Sequence, residues 1–255
     1  MRSTVLNTYN IIEIFRKKSI LGTILVLLTL TSCQSLITKY LVSTANINKN
    51  LKVLESKETK QTIVFFPMVH IGKPEYYDNC KKIIDSLRSD GFKFYYESLS
   101  MDSTIHSTKK SIYNKKVRSI LGYNPLHSDA NESLPASFKK KNIVLQNYTK
   151  MGLYAKDTNL DLFENQIIDS IEKKYGPIIL TECDFTTGEL EKYNCKNDNK
   201  VNKFALTNEF RDPYIANEVM KLQDKKIVLI YGKMHWYFIY PSLKQNGFEI
   251  TKGKI

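Results

Sequence analysis

The run Thr62-Ile63-Val64-Phe65-Phe66-Pro67-Met68-Val69 holds no charge, and no polar residue after its first threonine. A strand with one wet face alternates apolar and polar residues; an unbroken β-prone run belongs to a strand covered on both faces. Such strands sit in sheets with helices packed above and below. The chain supplies a helix at once: from about Glu75, Tyr76, Cys80, Ile83, Ile84 and Leu87 recur at helical spacing and lay down one apolar stripe. Asp90-Gly91 brings turn chemistry, and Phe92 to Tyr96 reads as the next strand. Together these make one β-α-β unit of about 35 residues.

The same alternation continues. Lys109 to Leu121 is basic and helix-compatible, Gly122-Tyr123-Asn124-Pro125 is a turn signal, and Ile143 to Gln146 suits a short strand. Asp161 to Lys174 reads as a helix with Phe163, Ile167, Ile168 and Ile171 on one face, stopped by Gly176-Pro177. Ile178 to Thr181 reads as a further apolar strand ending in Glu182-Cys183-Asp184, and residues 186–203 as polar loop. Asp212-Pro213 is a helix start, with the aspartate as cap and the proline in the first turn, and Ile215, Val219 and Leu222 mark the buried face. The strand Lys226 to Tyr231, a last helix, and a strand from Phe248 to Thr251 complete the pattern. The fold class expected is α/β, with a central, mostly parallel (mixed) β-sheet flanked by helices.

Two of the four histidines close such strands: His70 follows Val69, and His235 ends Gly232-Lys233-Met234-His235. In open α/β sheets ligands gather at the carboxyl ends of strands. Imidazoles meeting there bind a metal or share proton transfer. Glu97, at the end of the second strand, is placed to ligate a metal, act as a general base or orient an imidazole. Arg211, just before a helix, is a candidate clamp for a carboxylate or phosphate, or a stabiliser of an oxyanion. Asp161 and Asp184 are further acids at element ends that could line the same cleft. Gly232 permits either a sharp chain reversal or a close approach of backbone. No G-x-S-x-G elbow points to a serine nucleophile.

The front of the chain reads as an address. Arg16, Lys17 and Lys18 precede an apolar run from Ile20 to Leu30. That is the size of a signal-peptide core and short of the roughly 20 residues a membrane span needs. Leu30-Thr31-Ser32-Cys33 resembles a bacterial lipobox, which makes residues 1–32 a lipoprotein signal peptide, Cys33 the lipidated new N-terminus, and the membrane of the cell envelope a partner. Residues 33–60 then read as a polar tether and residues 61–255 as one domain. The first 32 residues carry four basic and one acidic residue, a net +3, which leaves about +9 of the formal +12. The lysines are scattered or in short clusters such as Lys139-Lys140-Lys141, without the interleaved aromatics of a nucleic-acid surface. Asn131-Glu132-Ser133 matches a glycosylation pattern that carries no weight in a bacterial lipoprotein. Cys183 and Cys195 are near enough in sequence to pair in an oxidising compartment, and Cys80 falls on an apolar helix face.

Taken in order, Pro67-Met68-Val69-His70, Tyr95-Tyr96-Glu97, Glu209-Phe210-Arg211-Asp212 and Gly232-Lys233-Met234-His235 resemble the TraB/PrgY/GumN and Tiki families. These are grouped with erythromycin esterases and ChaN-like haem-binding lipoproteins, and the likeness covers most of 60–253. The second G-x-x-H motif is intact; in the first, Pro67 stands where the glycine is expected. The resemblance implies an erythromycin esterase/ChaN-like sheet and a site built from His70, Glu97, Arg211 and His235. The activities it implies differ: metal-dependent peptidases, esterases using histidine and glutamate, proteins that bind a signalling peptide, and haem binders. The expectation is therefore an envelope hydrolase of a peptide or ester bond, with a divalent metal (Mn, Co or Zn) held by His70, Glu97 and His235 as one version. The alternative is a non-catalytic lipoprotein that binds a peptide or haem.

Overall fold

A computed structural model describes residues 46–123, 142–189 and 191–253. The apolar run, Cys33, the Lys139-Lys140-Lys141 cluster and Asn131-Glu132-Ser133 lie outside the described residues. No helix among the described residues is long and apolar enough to cross a membrane.

The chain is α/β. The elements in order are α1 (Ile47–Asn50), β1 (Lys52–Ser56), β2 (Thr62–Met68), β3 (Ile71–Gly72), α2 (Pro74–Ser89), β4 (Lys93–Tyr96), α3 (Ser107–Leu121), β5 (Val144–Leu145), β6 (Thr158–Asn159), α4 (Glu164–Tyr175), α5 (Glu182–Thr186), α6 (Arg211–Lys221), β7 (Lys226–Gly232), α7 (Trp236–Gln245) and β8 (Phe248–Lys252). A six-stranded mixed sheet runs β6-β4-β7-β2-β1-β8. β2, β7, β4 and β6 are parallel, while β1 and β8 pair antiparallel on one edge.

The two unbroken apolar runs take the centre. Every residue of β2 from Ile63 to Met68, and of β7 from Ile227 to Gly232, is buried. Side chains of a strand alternate between faces. Phe65, Ile227, Leu229 and Tyr231 accordingly pack with Ile215 and Val219 of α6 and with Trp236, Ile239 and Leu243 of α7. Arg88 of α2 lies over Phe94, 4.2 Å from the ring centroid, so α2 covers the face opposite Tyr95. A further apolar cluster joins α3 and α4 through Val117, Ile120, Ile167, Ile168 and Ile171.

Two expectations need correction. Residues 33–60 are not all tether: β1 pairs with β2 from Lys52↔Phe65 to Glu55↔Thr62, so the domain reaches back at least to α1. Ile178 to Thr181 is not a strand. It pairs with no strand among the described residues, and a box in which Asp184 Oδ2 accepts from the Thr181 backbone N–H (2.7 Å) and hydroxyl (2.8 Å) starts α5 directly after it. The edge position beside β4 is filled by Thr158–Asn159, too short to be legible as a period. Cys183 and Cys195 form a disulfide, which ties the loop after α5; Cys80 is free and buried in α2.

Candidate active site

Parallel pairing brings the carboxyl ends of four strands to one level. Met68 pairs with Gly232, Tyr96 with Ile230, and Tyr96 with Asn159. Just beyond those ends stand His70, Glu97, Asp161 and His235. Two imidazoles far apart in the chain and two acids are thereby gathered at one edge, where a parallel sheet presents its loops.

Glu97 is the centre of the cluster. Its Oε1 accepts from Arg211 Nη2 at 2.9 Å and lies 3.1 Å from His235 Nε2. Its Oε2 accepts from the Gly232 backbone N–H at 2.7 Å and lies 3.9 Å from His70 Nε2. Burial alone would favour the protonated acid. The His235 hydrogen bond and the charges of Arg211, His235 and His70 outweigh it and hold the carboxyl well below the usual carboxylate range. Glu97 is thus a fixed anion and a feeble proton acceptor.

His235 is buried between two carboxylates, with Nδ1 bonded to Asp212 Oδ1 and Nε2 to Glu97 Oε1. Burial opposes its charge, yet the hydrogen bonds to Asp212 and Glu97 raise its pKa from 6.5 to about 9. Near neutral pH it is an imidazolium that pins Glu97. The pKa is raised on folding, so the ring's contribution to stability is complete below 6.5 and is lost as pH climbs through 9. That loss amounts to about 3 kcal/mol as an order of magnitude. Urea denaturation between pH 6.5 and 9.5 should show stability falling across this window, and Asp212→Asn should flatten the fall. An unchanged slope in that variant would show that the Asp212 contact does not charge the ring.

Arg211 is 1% exposed, and four of its five N–H donors have partners. Nε meets Asp161 Oδ1 at 2.9 Å, Nη2 meets Asp161 Oδ2 and Glu97 Oε1, and Nη1 donates to the Thr207 carbonyl at 2.9 Å. This weighs against the expectation of an oxyanion stabiliser or ligand clamp, because the guanidinium is buried and four of its five N–H donors are already bonded to protein. Its role is to position Glu97. Asp161 joins the cluster as the partner of Arg211. Asp184 does not join it: that carboxylate is spent on Thr181 and on the Tyr193 hydroxyl at 2.6 Å, beside the disulfide.

His70 differs from its counterpart. Its side chain is 56% exposed. The two-stranded ribbon β3–β5 pairs Ile71 with Leu145 and carries Gln146 to the ring. Gln146 N–H donates to the His70 carbonyl at 2.8 Å, and Gln146 Oε1 lies 2.8 Å from Nδ1. An amide oxygen only accepts, so in the neutral ring Nδ1 carries the hydrogen and Nε2 offers its lone pair. The 3.9 Å between that nitrogen and Glu97 Oε2 is too long for a direct bond and within the reach of a single bridging water.

Gly232 is needed for close approach. Its φ is −53°, open to any residue, but a Cβ there would come within 2.9 Å of His70 Nε2 and 3.3 Å of Glu97 Oε2. Pro67, the departure from the first G-x-x-H motif, lies in β2 beyond Phe65, the last residue paired with β1. A proline there is compatible with the end of pairing on that side.

No family model, curated protein or solved structure matches this chain. Its chemistry must therefore be read from the site. The residues that sequence reasoning left out are Asp212, Gln146 and Thr207. Asp212 had been assigned to helix capping; its position directly after Arg211 was the available signal, since neighbours at a helix start can point into one cleft. Gln146 had none, because its place depends on a two-residue strand pairing.

As arranged, these donors do not fit a divalent cation. Glu97 has both oxygens committed, and His235 has both nitrogens committed and is held cationic. Metal binding requires a neutral imidazole and an open carboxylate. Among the described residues no group of three His, Cys, Asp or Glu side chains is disposed to hold a metal ion. Of the two imidazoles, only His70 keeps a nitrogen free for a metal or haem iron.

Proposed function

We propose that this chain is an envelope-anchored hydrolase of ester bonds that activates water with His70, without a metal. The observation that carries the reading is the open Nε2 of His70, 3.9 Å from the fixed Glu97 carboxylate. A water bonded to both is polarised by an anion on one side and faces a lone pair on the other. As it attacks the substrate carbonyl carbon, its proton passes to His70 Nε2. Glu97 stabilises the imidazolium that forms. The tetrahedral intermediate then collapses, the C–O bond to the leaving group breaks, and His70 returns the proton to the departing alkoxide. Esters suit this machinery better than peptides. An alkoxide leaves with less help than an amine, and the one free acid–base group is His70. Cys33 supplies the anchor in this proposal, which rests on the lipobox-like run.

The test uses the full chain in detergent, with a panel of 4-nitrophenyl esters and fluorogenic peptides assayed in EDTA and with Mn, Co or Zn. Ester turnover should persist in EDTA and fall by about 10²–10⁴ in His70→Gln. Turnover only with added metal, peptide cleavage without ester cleavage, or equal rates in the variant would each overturn the proposal.

A further inference from the structure

A cavity flanks the same strand ends. It encloses about 540 Å³, within the range of small-molecule sites, and is lined by Lys49, Lys52, Pro67, Lys233, Trp236 and Tyr237 among others. Pro67 lies in β2 one residue before Met68, and Lys233 directly follows Gly232 of β7. None of the residues lining it is acidic. Among the described residues no carboxylate is within ion-pair reach of Lys49, Lys52 or Lys233. Three lysines thus line one space, with no carboxylate partner among the described residues.

The apolar side is rigid. Trp236 is buried, stacks on Tyr240 at 4.6 Å and 10°, and tilts against Phe65 at 5.1 Å. Lys52 Nζ lies 5.8 Å from the Trp236 ring centroid. Gly253, at φ +100°, lets the chain after β8 close over the Lys52 stem; a Cβ there would meet Lys52 Cδ at 3.0 Å and the Leu51 carbonyl at 2.5 Å. Desolvation and the nearby Lys233 charge lower the Lys52 pKa, as expected of cations awaiting a counter-charge.

We propose that this cavity binds a phosphate ester whose organic part is flat or apolar. Three lysines offer separate point charges, which match the several oxygens of a phosphate better than the two of a carboxylate, for which a planar arginine fork is the usual partner. The exposed phenol ring of Tyr237, with the edge of the Trp236 indole that lines the cavity, provides the surface for the organic part. Resting on the hydrolase reading, one consequence follows: the ester cleaved at His70 belongs to a phosphate-bearing molecule. Such a phosphate comes either from a soluble phosphomonoester or from a lipid headgroup.

Trp236 is the only tryptophan of the chain, so its fluorescence reads this cavity alone. The experiment titrates the full chain in detergent with phenyl phosphate, inorganic phosphate and phenol at constant ionic strength. A parallel titration uses vesicles of phosphatidylcholine with and without phosphatidylglycerol. Lys52→Gln and Lys233→Gln serve as variants, with thermal melts to show that both fold. A saturable change with phenyl phosphate, tighter than with either fragment and roughly tenfold weaker in each variant, is the expected result for a soluble ligand. A response confined to phosphatidylglycerol vesicles and weakened in both variants assigns the phosphate to a lipid. No saturable response to either probe, or responses equal in wild type and variants, overturns the proposal. Fluorescence reports occupancy without turnover. A chain that binds phenyl phosphate but cleaves no ester would therefore sink the hydrolase reading and leave this one standing.

Discussion

Replacing Arg211 by methionine is expected to cost about 3–5 kcal/mol of stability, the usual penalty for breaking a buried ion pair from one side. For a domain of this size that is a fall in Tm of roughly 6–20 °C. The guanidinium is 1% exposed and bonds to Asp161, Glu97 and the Thr207 carbonyl. Methionine fills much of the same volume, so the loss is electrostatic more than steric. Two carboxylates, Glu97 and Asp161, would stay in a largely buried site with His235 as the remaining cation on Glu97. Desolvation, already the largest influence on Asp161, would then raise both pKa values. An acid whose folded pKa is raised destabilises the fold at high pH, and the penalty is relieved as pH falls through that pKa. The gap between wild type and Arg211→Met should accordingly narrow between pH 7.5 and 5.5 in urea denaturation. Arg211→Lys should fall between the two, since an ammonium keeps the charge but cannot fork to two carboxylates. A loss below about 1 kcal/mol, or a gap that ignores pH, would mean that the cluster is not held by charge.

What the sequence made legible follows a physical rule. β2 and β7 were readable because burial on both faces leaves an unbroken apolar run, and α2, α4 and α6 because one-sided burial leaves a helical stripe. The ends of β2, β4 and β7 carried His70, Glu97 and His235 to the carboxyl edge of the sheet. β1 was hidden because a strand near the edge, with Lys52 and Glu55 in it, resembles a polar tether. β5 falls within the short strand expected over Ile143 to Gln146, but its pairing with Ile71–Gly72 was not legible, and β6 was hidden because two residues have no period; it exists through its partner Tyr95–Tyr96. Ile178 to Thr181 misled for the opposite reason. Its β-prone residues pack Ile178 against the α3–α4 cluster, while Asp184 turns the chain into a helix. The roles within the site were harder still. Arg211 and Asp212 are adjacent in sequence, yet one holds Glu97 and Asp161 and the other holds His235. Nothing in composition separates a charge that faces substrate from one that fixes a neighbour; only burial does.

The largest effect on activity is expected from His70→Gln: kcat lower by about 10²–10⁴, the ordinary worth of a positioned general base. Stability should change by no more than about 0.5 kcal/mol, because the ring is a surface group and its loss opens no core. KM should be nearly unchanged, since the base acts on the water and adds little to ground-state binding. Gly232→Ala supplies the complementary case. Its new Cβ would press on His70 Nε2 at 2.9 Å and on Glu97 Oε2 at 3.3 Å. Glu97 is held from three sides, whereas the exposed His70 ring can swing out, so the ring yields. The protein should fold, keep most of its stability and lose most of its turnover. If the glycine matters because it admits the His70 ring, Gly232→Ala should add almost nothing in a His70→Gln background. Two substitutions that disable one unit are not additive. A double variant slower than His70→Gln by the full Gly232→Ala factor would place the glycine's role elsewhere, with the Glu97 carboxylate it bonds. A His70→Gln protein that still turns over ester at the wild-type rate would remove His70 from the chemistry altogether.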